Sequence, residues 1–187
     1  MVVDGKMLMG RQFIRAMLLV LGFCVADPSA VCGADRVRTA GNVLEYAMPA
    51  AAAGMMLWHK DGEGALEFGE AGLLSVALTQ GLKFTVDERR PDGGDQSFPS
   101  GHTSWAFCLA EFMRERYGWQ SGLPAYAAAS FVGYSRVESR SHHVHDVLAG
   151  AAIGIGSSWL FTTPYNRWQV QAELGDGCFG LGLCRRW

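Results

Sequence analysis

The stretch SRVESRSHHVHD, Ser135 to Asp146, holds three histidines within four positions, with Arg136, Arg140 and Asp146 around them. His142 and Asp146 are four apart, a spacing that brings two side chains onto one face of a helix. A carboxylate so placed accepts from one imidazole nitrogen, fixes the tautomer and leaves the other nitrogen free as a nucleophile. His145, three from His142, can share that face, whereas His143 must point elsewhere.

A second group is FPSGH, Phe98 to His102. Ser100 suits a helix N-cap. Gly101 lets an oxyanion approach backbone N–H groups where the helix end favours negative charge. His102 follows in the first turn, facing the same anion, where an imidazole can act as a general acid. Further upstream, six residues separate Lys83 from Arg90-Pro91. Taken alone, those two cations read as solvated charges at a helix end.

The elements that must position these groups are helical. Asn42 is expected to cap a first helix reaching about Trp58, interrupted by Pro49. A second spans about Leu66 to Lys83, and PDGGDQSFPSG follows as a polar loop. A third covers Ser100 to Tyr117, a fourth Ala125 to Val137 and a fifth His143 to Phe161. The fifth is rich in Gly and Ala, which lets a neighbouring helix come close. Apolar and polar residues then alternate in WQVQAEL, and Gly175-Asp176-Gly177 leads into CFGLGLC, the pattern of a β-hairpin. The expected class is all-α: a bundle of about five helices with a small C-terminal β-hairpin. In an up-and-down bundle, the second helix's end, the third's start and the junction of the fourth and fifth share one rim.

The 187 residues suffice for one domain, here 35–165, with a tail over 166–187. Apolar residues make up 49% and charged residues 18%, against about 25% charged in an average soluble domain. A net charge of −2 offers no broad basic surface and excludes a nucleic-acid partner. Lys6, Arg11 and Arg15 precede an apolar run from Ala16 to Ala26, so residues 1–34 read as a signal peptide or N-terminal anchor. Of Cys24, Cys32, Cys108, Cys178 and Cys184, none forms a CxxC or a metal spacing, and Cys108 reads as core packing.

Taken in order, K-x6-RP, PSGH and SR-x5-H-x3-D resemble the type 2 phosphatidic acid phosphatase family, which shares its site with vanadium haloperoxidases and bacterial acid phosphatases. The resemblance covers about Leu66 to Phe161 and implies roles for each matching residue. Lys83, Arg90 and Arg136 would hold the phosphate oxygens, and Ser100 and the Gly101 N–H would donate to them. His142 would be the nucleophile that becomes phosphohistidine, with Asp146 behind it, and His102 the acid for the leaving alkoxide and then the base for water. No metal and no cofactor is implied, because three cations and helix-end amides can stabilise the charge that develops on phosphate.

The implied activity is a metal-independent phosphatase acting on a phosphate monoester or pyrophosphate, expected to be that of a lipid such as phosphatidic acid or a polyprenyl pyrophosphate. Rival readings are a soluble periplasmic acid phosphatase, a haloperoxidase, a non-catalytic envelope scaffold, and a metal site on His142, His143, His145 and Asp146. The last leaves PSGH and K-x6-RP unexplained. Aromatic and small apolar residues favour membrane contact, with the chain in the cell envelope and its active site outside the cytoplasm. Asp87, Glu88, Asp92 and Asp95 read as loop surface.

Overall fold

The computed structural model of the chain describes residues 33–165 and the backbone of 168–175 and 178–185. Five helices follow one another: α1 (Gly33–His59), α2 (Gly62–Thr85), α3 (Gly101–Tyr117), α4 (Trp119–Glu138) and α5 (Val144–Phe161). The all-α bundle expected from the sequence is therefore the fold. The backbones of β1 (Trp168–Gly175) and β2 (Cys178–Arg185) pair antiparallel. The leader expected over 1–34 lies outside the described residues, apart from Gly33 and Ala34, which open α1.

Two helix starts differ from expectation. Asn42 does not cap α1; the helix starts at Gly33, and from inside it the Asn42 Oδ1 accepts a hydrogen bond from Arg136 Nη2 at 2.7 Å. Upstream, Asp35 sits in the first turn, where a carboxylate favours the helix N-terminus. Similarly, α4 begins at Trp119 rather than Ala125, with Gly118 at φ 87 supplying the sharp turn from α3 and Pro124 held inside the helix.

α3 runs through the middle of the bundle. Leu109, Phe112 and Met113 are buried on it, against Leu44 and Met48 of α1 and Ala128, Ala129 and Val132 of α4. Cys108 is buried there as a free thiol, as expected of a core residue. On its other flank α3 meets α5 backbone to backbone. A Cβ on Gly154 would stand 2.2 Å from the Ser104 carbonyl oxygen, and one on Gly150 would stand 2.5 Å from that of Ser100. The small residues of α5 thus set a helix spacing that larger side chains would forbid.

One end of the bundle is locked by charge. Asp61, the N-cap of α2, accepts from Gly64 N at 2.9 Å, Arg116 Nε at 2.8 Å and Tyr117 Oη at 2.9 Å. Arg116 also donates to the Thr163 carbonyl just beyond α5. Such a buried pair, with its hydrogen bonds satisfied on both sides, fixes how α2 and α3 meet. The opposite end carries the polar loops.

Candidate active site

Lys83 ends α2, Arg90 lies on the following loop, Gly101 and His102 open α3, and His142 precedes α5. All five line one cavity of about 290 Å³, together with Glu45, Ser75, Thr79, Ser104, Val76 and Trp105. Residues remote in sequence meet there because α2 and α3 are antiparallel neighbours and α5 packs tightly on α3. The floor is a chain of hydroxyls: Ser75 Oγ and Thr79 Oγ1 lie 2.6 and 2.9 Å from Ser104 Oγ.

The loop from Val86 to Ser100 is tied down at several points. Lys83 Nζ donates to the Gln96 carbonyl at 2.6 Å. Ser97 N donates to the Glu88 carbonyl, and Arg90 N to that of Gly94. The Arg90 Nε is buried and donates to no acceptor among the described residues, so it retains a donor for an anion. Gly101 at the start of α3 would have room for a Cβ, whose nearest neighbour is Thr79 Cγ2 at 3.7 Å. Its use is therefore to keep a side chain out of the cavity rather than to relieve a clash.

Ser100 occupies the N-cap position of α3, but its hydroxyl does not cap the helix; Oγ pairs with Thr103 Oγ1 at 2.9 Å. Its backbone N donates to the Asp146 carbonyl at 3.0 Å, fastening α3 to α5. Ser100 and Asp146 are buried beside the cavity rather than lining it. Arg136 is buried too, and it reaches towards α1: Nη2 bonds the Arg38 carbonyl and Asn42 Oδ1. Its own carbonyl accepts from Ser141 N and His142 N, which sets the loop that carries His142.

His142 and Asp146 do not share a helix face, since α5 begins at Val144 and His142 stands outside it. They meet nonetheless: His142 Nδ1 is 3.5 Å from Asp146 Oδ2, without a hydrogen bond between them. Oδ2 is taken by the Ser97 hydroxyl and by the His143 N–H at 2.8 Å. That N–H bond is how a carboxylate at the third helical position satisfies the open end of its own helix. Nε2 of His142 remains for chemistry. Burial pushes the His142 pKa down to about 4, and the Arg90 and Lys83 charges add to the effect. The imidazole is thus neutral, as a nucleophile requires.

His102 Nε2 lies 3.2 Å from Glu45 Oε2. Burial and the charges of Arg136, His142, Arg90 and Lys83 lower its pKa to about 4. His143 and His145 point away from the cavity. Their rings stack 5.2 Å apart, and their Nε2 atoms approach Glu88 Oε1 at 3.8 and 2.8 Å. His145 therefore does not share a face with His142.

Sequence reasoning gave Glu45 and Ser97 no part in the site and read Asn42 as a helix cap. Glu45 left the plainest trace, an acid inside an apolar helix. Asn42 and Ser97 are ordinary capping and loop residues by type, and only their contacts give them a role.

Comparison with known proteins agrees with this architecture. The family model described as the PAP2 superfamily matches residues 92–169. A lipid A 4'-phosphatase of Helicobacter pylori is 30% identical over 174 residues, spanning 83% of this chain and 87% of that protein. A lipid A 1-phosphatase of Porphyromonas gingivalis is 41% identical over 90 residues, spanning 44% of this chain and 20% of that protein. Among solved structures, Aquifex aeolicus LpxE superposes with a TM-score of 0.59 at 20% identity, covering 79% of this chain and 92% of that one. A transmembrane PAP2-type phosphatidylglycerolphosphate phosphatase from Bacillus subtilis superposes with a TM-score of 0.51 at 23% identity, covering 85% of each chain. Motifs, fold and relatives agree: the chain belongs to the PAP2 superfamily, as a phosphatase.

Proposed function

We propose that this phosphatase removes phosphate from a phosphorylated membrane lipid, with His142 carrying the phosphoryl group between lipid and water. The observation behind the reading is that Lys83, Arg90, His102, His142 and the start of α3 line a single cavity. Lys83, Arg90 and the Gly101 N–H bind the phosphate oxygens, and buried Arg136 and Ser100 support them from behind. His142 Nε2 attacks phosphorus, a P–N bond forms, and the P–O bond to the lipid breaks. The leaving oxygen takes a proton from His102. His102 then takes a proton from water, whose oxygen attacks phosphorus and releases phosphate from His142.

His102 needs a proton for the first half of this cycle. A phosphate dianion entering the cavity opposes the positive field of Lys83, Arg90 and Arg136 and raises the affinity of His102 for that proton. Substrate thereby arms its own acid. Each donor aimed at the developing charge contributes on the order of 10²–10³ in rate.

A lipid substrate is supported by the outer surface. Leu66, Leu73, Leu78 and Phe84 of α2, and Leu148, Trp159 and Leu160 of α5, are exposed on two helices that pack together. Among the described residues, Val144–Phe161 is the helix long and apolar enough to cross a membrane. Lipid A phosphate is the first candidate, because lipid A phosphatases stand among the relatives and one aligns along most of the chain. A membrane-lipid substrate of this kind goes with a place in the cell envelope.

The test is phosphate release by the full chain in detergent from lipid A, from phosphatidic acid and from a soluble aryl phosphate. Samples quenched in alkaline denaturant are examined for a phosphohistidine, which survives alkali and is lost in acid. Lipid turnover with a trapped adduct that is missing in His142→Ala is the expected result. Turnover with no dependence on His142 rejects the mechanism, and preference for the soluble ester rejects the lipid.

A further inference from the structure

Asp146 is 0% exposed, yet its two oxygens are treated unequally. Oδ2 accepts the Ser97 hydroxyl and the His143 N–H. Oδ1 accepts no hydrogen bond among the described residues, although it is sealed from solvent by the chain itself. It faces His145 Nε2 at 3.2 Å, and that nitrogen lies 2.8 Å from Glu88 Oε1. These three donor atoms, from the loop after α2 and the start of α5, all lie within 4.8 Å of one another. None of Glu88, His145 and Asp146 lines the catalytic cavity.

We propose that Glu88, His145 and Asp146 form a binding site for a divalent cation of the zinc class, and that filling it slows phosphate release. Two carboxylates and an unprotonated imidazole match the charge and the donor preference of zinc. Bond lengths of about 2.0–2.2 Å in a tetrahedral site put ligand atoms about 3.3–3.5 Å apart. The Nε2–Oδ1 separation is already 3.2 Å. The Nε2–Oε1 pair, at 2.8 Å, must open by a few tenths of an ångström. Glu88 can make that adjustment, since it is 29% exposed at the end of a flexible side chain. His145, 58% exposed, gives the ion a route from solvent. His143, whose Nε2 is 3.8 Å from the same Glu88 oxygen, or a water can complete the shell.

The coupling to the reaction runs through Asp146. The same carboxylate sits 3.5 Å behind His142 Nδ1. A dication on Oδ1 cancels the negative charge that supports a positive phosphohistidine, so the transition state loses stabilisation. The cation is an inhibitor here and takes no part in the chemistry. This coupling rests on the phosphatase mechanism proposed above, whereas binding does not.

The rival for the same geometry is a protonated His145 clamped between two carboxylates with no ion. Equilibrium dialysis of the chelator-stripped full chain against zinc, with metal counted by mass spectrometry, separates them. One zinc per chain is expected, with affinity reduced at least about 10-fold in Glu88→Gln and in His145→Gln. Zinc should depress phosphate release by the unaltered chain and leave both variants active at the same concentration. No stoichiometric zinc, or binding that both substitutions leave intact, overturns the site. Zinc bound at full occupancy to an active enzyme that turns over unchanged overturns the inhibition. If zinc binds as expected to a chain without phosphatase activity, the site stands and the catalytic reading falls.

Discussion

Glu45 Oε2 of α1 stands 3.2 Å from His102 Nε2 at the start of α3. No catalytic motif includes Glu45, yet it is the carboxylate that meets the imidazole assigned to protonate the leaving group. A negative partner at this distance favours the charged form of histidine. Glu45→Gln should therefore weaken the grip of His102 on its proton once substrate is bound. The alkaline limb of the kcat profile should move to lower pH by about one unit, given partial exposure of the pair. KM should change little. A pH profile that superposes on that of the unaltered chain rules out this role.

His142 and Asp146 are tested as a pair. His142→Ala should cost at least on the order of 10⁴ in kcat, because the group that attacks phosphorus is gone. Circular dichroism should remain helical, since His142 lies outside every helix. Asp146→Asn should be less severe, about 10²- to 10⁴-fold, as the nucleophile survives with poorer support. The ranking of the two variants is the measurement that matters. Asp146→Asn as inactive as His142→Ala would give the carboxylate a direct part in the chemistry.

The bundle and its rim were legible because both rest on local pattern. Apolar runs parted by PDGG and by Gly118 mark helices, although WQSGLP, expected as a linker, is helical; alternating helix direction then brings Lys83, His102 and His142 to one end. The glycines of α5 announced a close helix neighbour, and Gly150 and Gly154 meet α3. What was hidden depends on which faces of distant helices meet. Asn42 looks like a cap by residue type and instead holds Arg136. The His142–Asp146 spacing suggested a shared helix face, but the helix starts two residues later, and the pair meets across a helix end. Ser97 and Glu45 act through contacts to residues far along the chain, which spacing does not encode.

The depressed pKa of His142 makes stability pH-dependent. The unfolded chain binds a proton at this position near pH 6.5, whereas the folded chain does so only near pH 4. Between these values the unfolded state binds more protons, so stability falls as pH falls through that window. The loss reaches at most about 1.4 kcal/mol per pH unit for one such group. His142→Gln, which cannot titrate, should flatten the slope of unfolding free energy between pH 6.5 and 4 by up to that amount. An unchanged slope would mean that His142 is as easily protonated in the fold as in water.

The α3–α5 contact offers a way to disturb the site without touching it. A Cβ on Gly154 would stand 2.2 Å from Ser104 O and 2.6 Å from Cys108 N, both backbone atoms that cannot swing aside. Gly154→Ala must therefore push α5 away from α3. Overpacking of this kind costs about 1–3 kcal/mol. The same shift loosens the Ser100 N to Asp146 O bond and moves His142 relative to His102. Activity should fall together with melting temperature. Gly156→Ala, two residues on and so on the far side of the helix, with nothing within 4 Å of its Cβ, is the control. It gains helix propensity of up to about 1 kcal/mol and should keep full activity. Equal behaviour of the two variants would mean that α5 does not pack on α3 through Gly154, and that the position of Asp146 is set by other contacts.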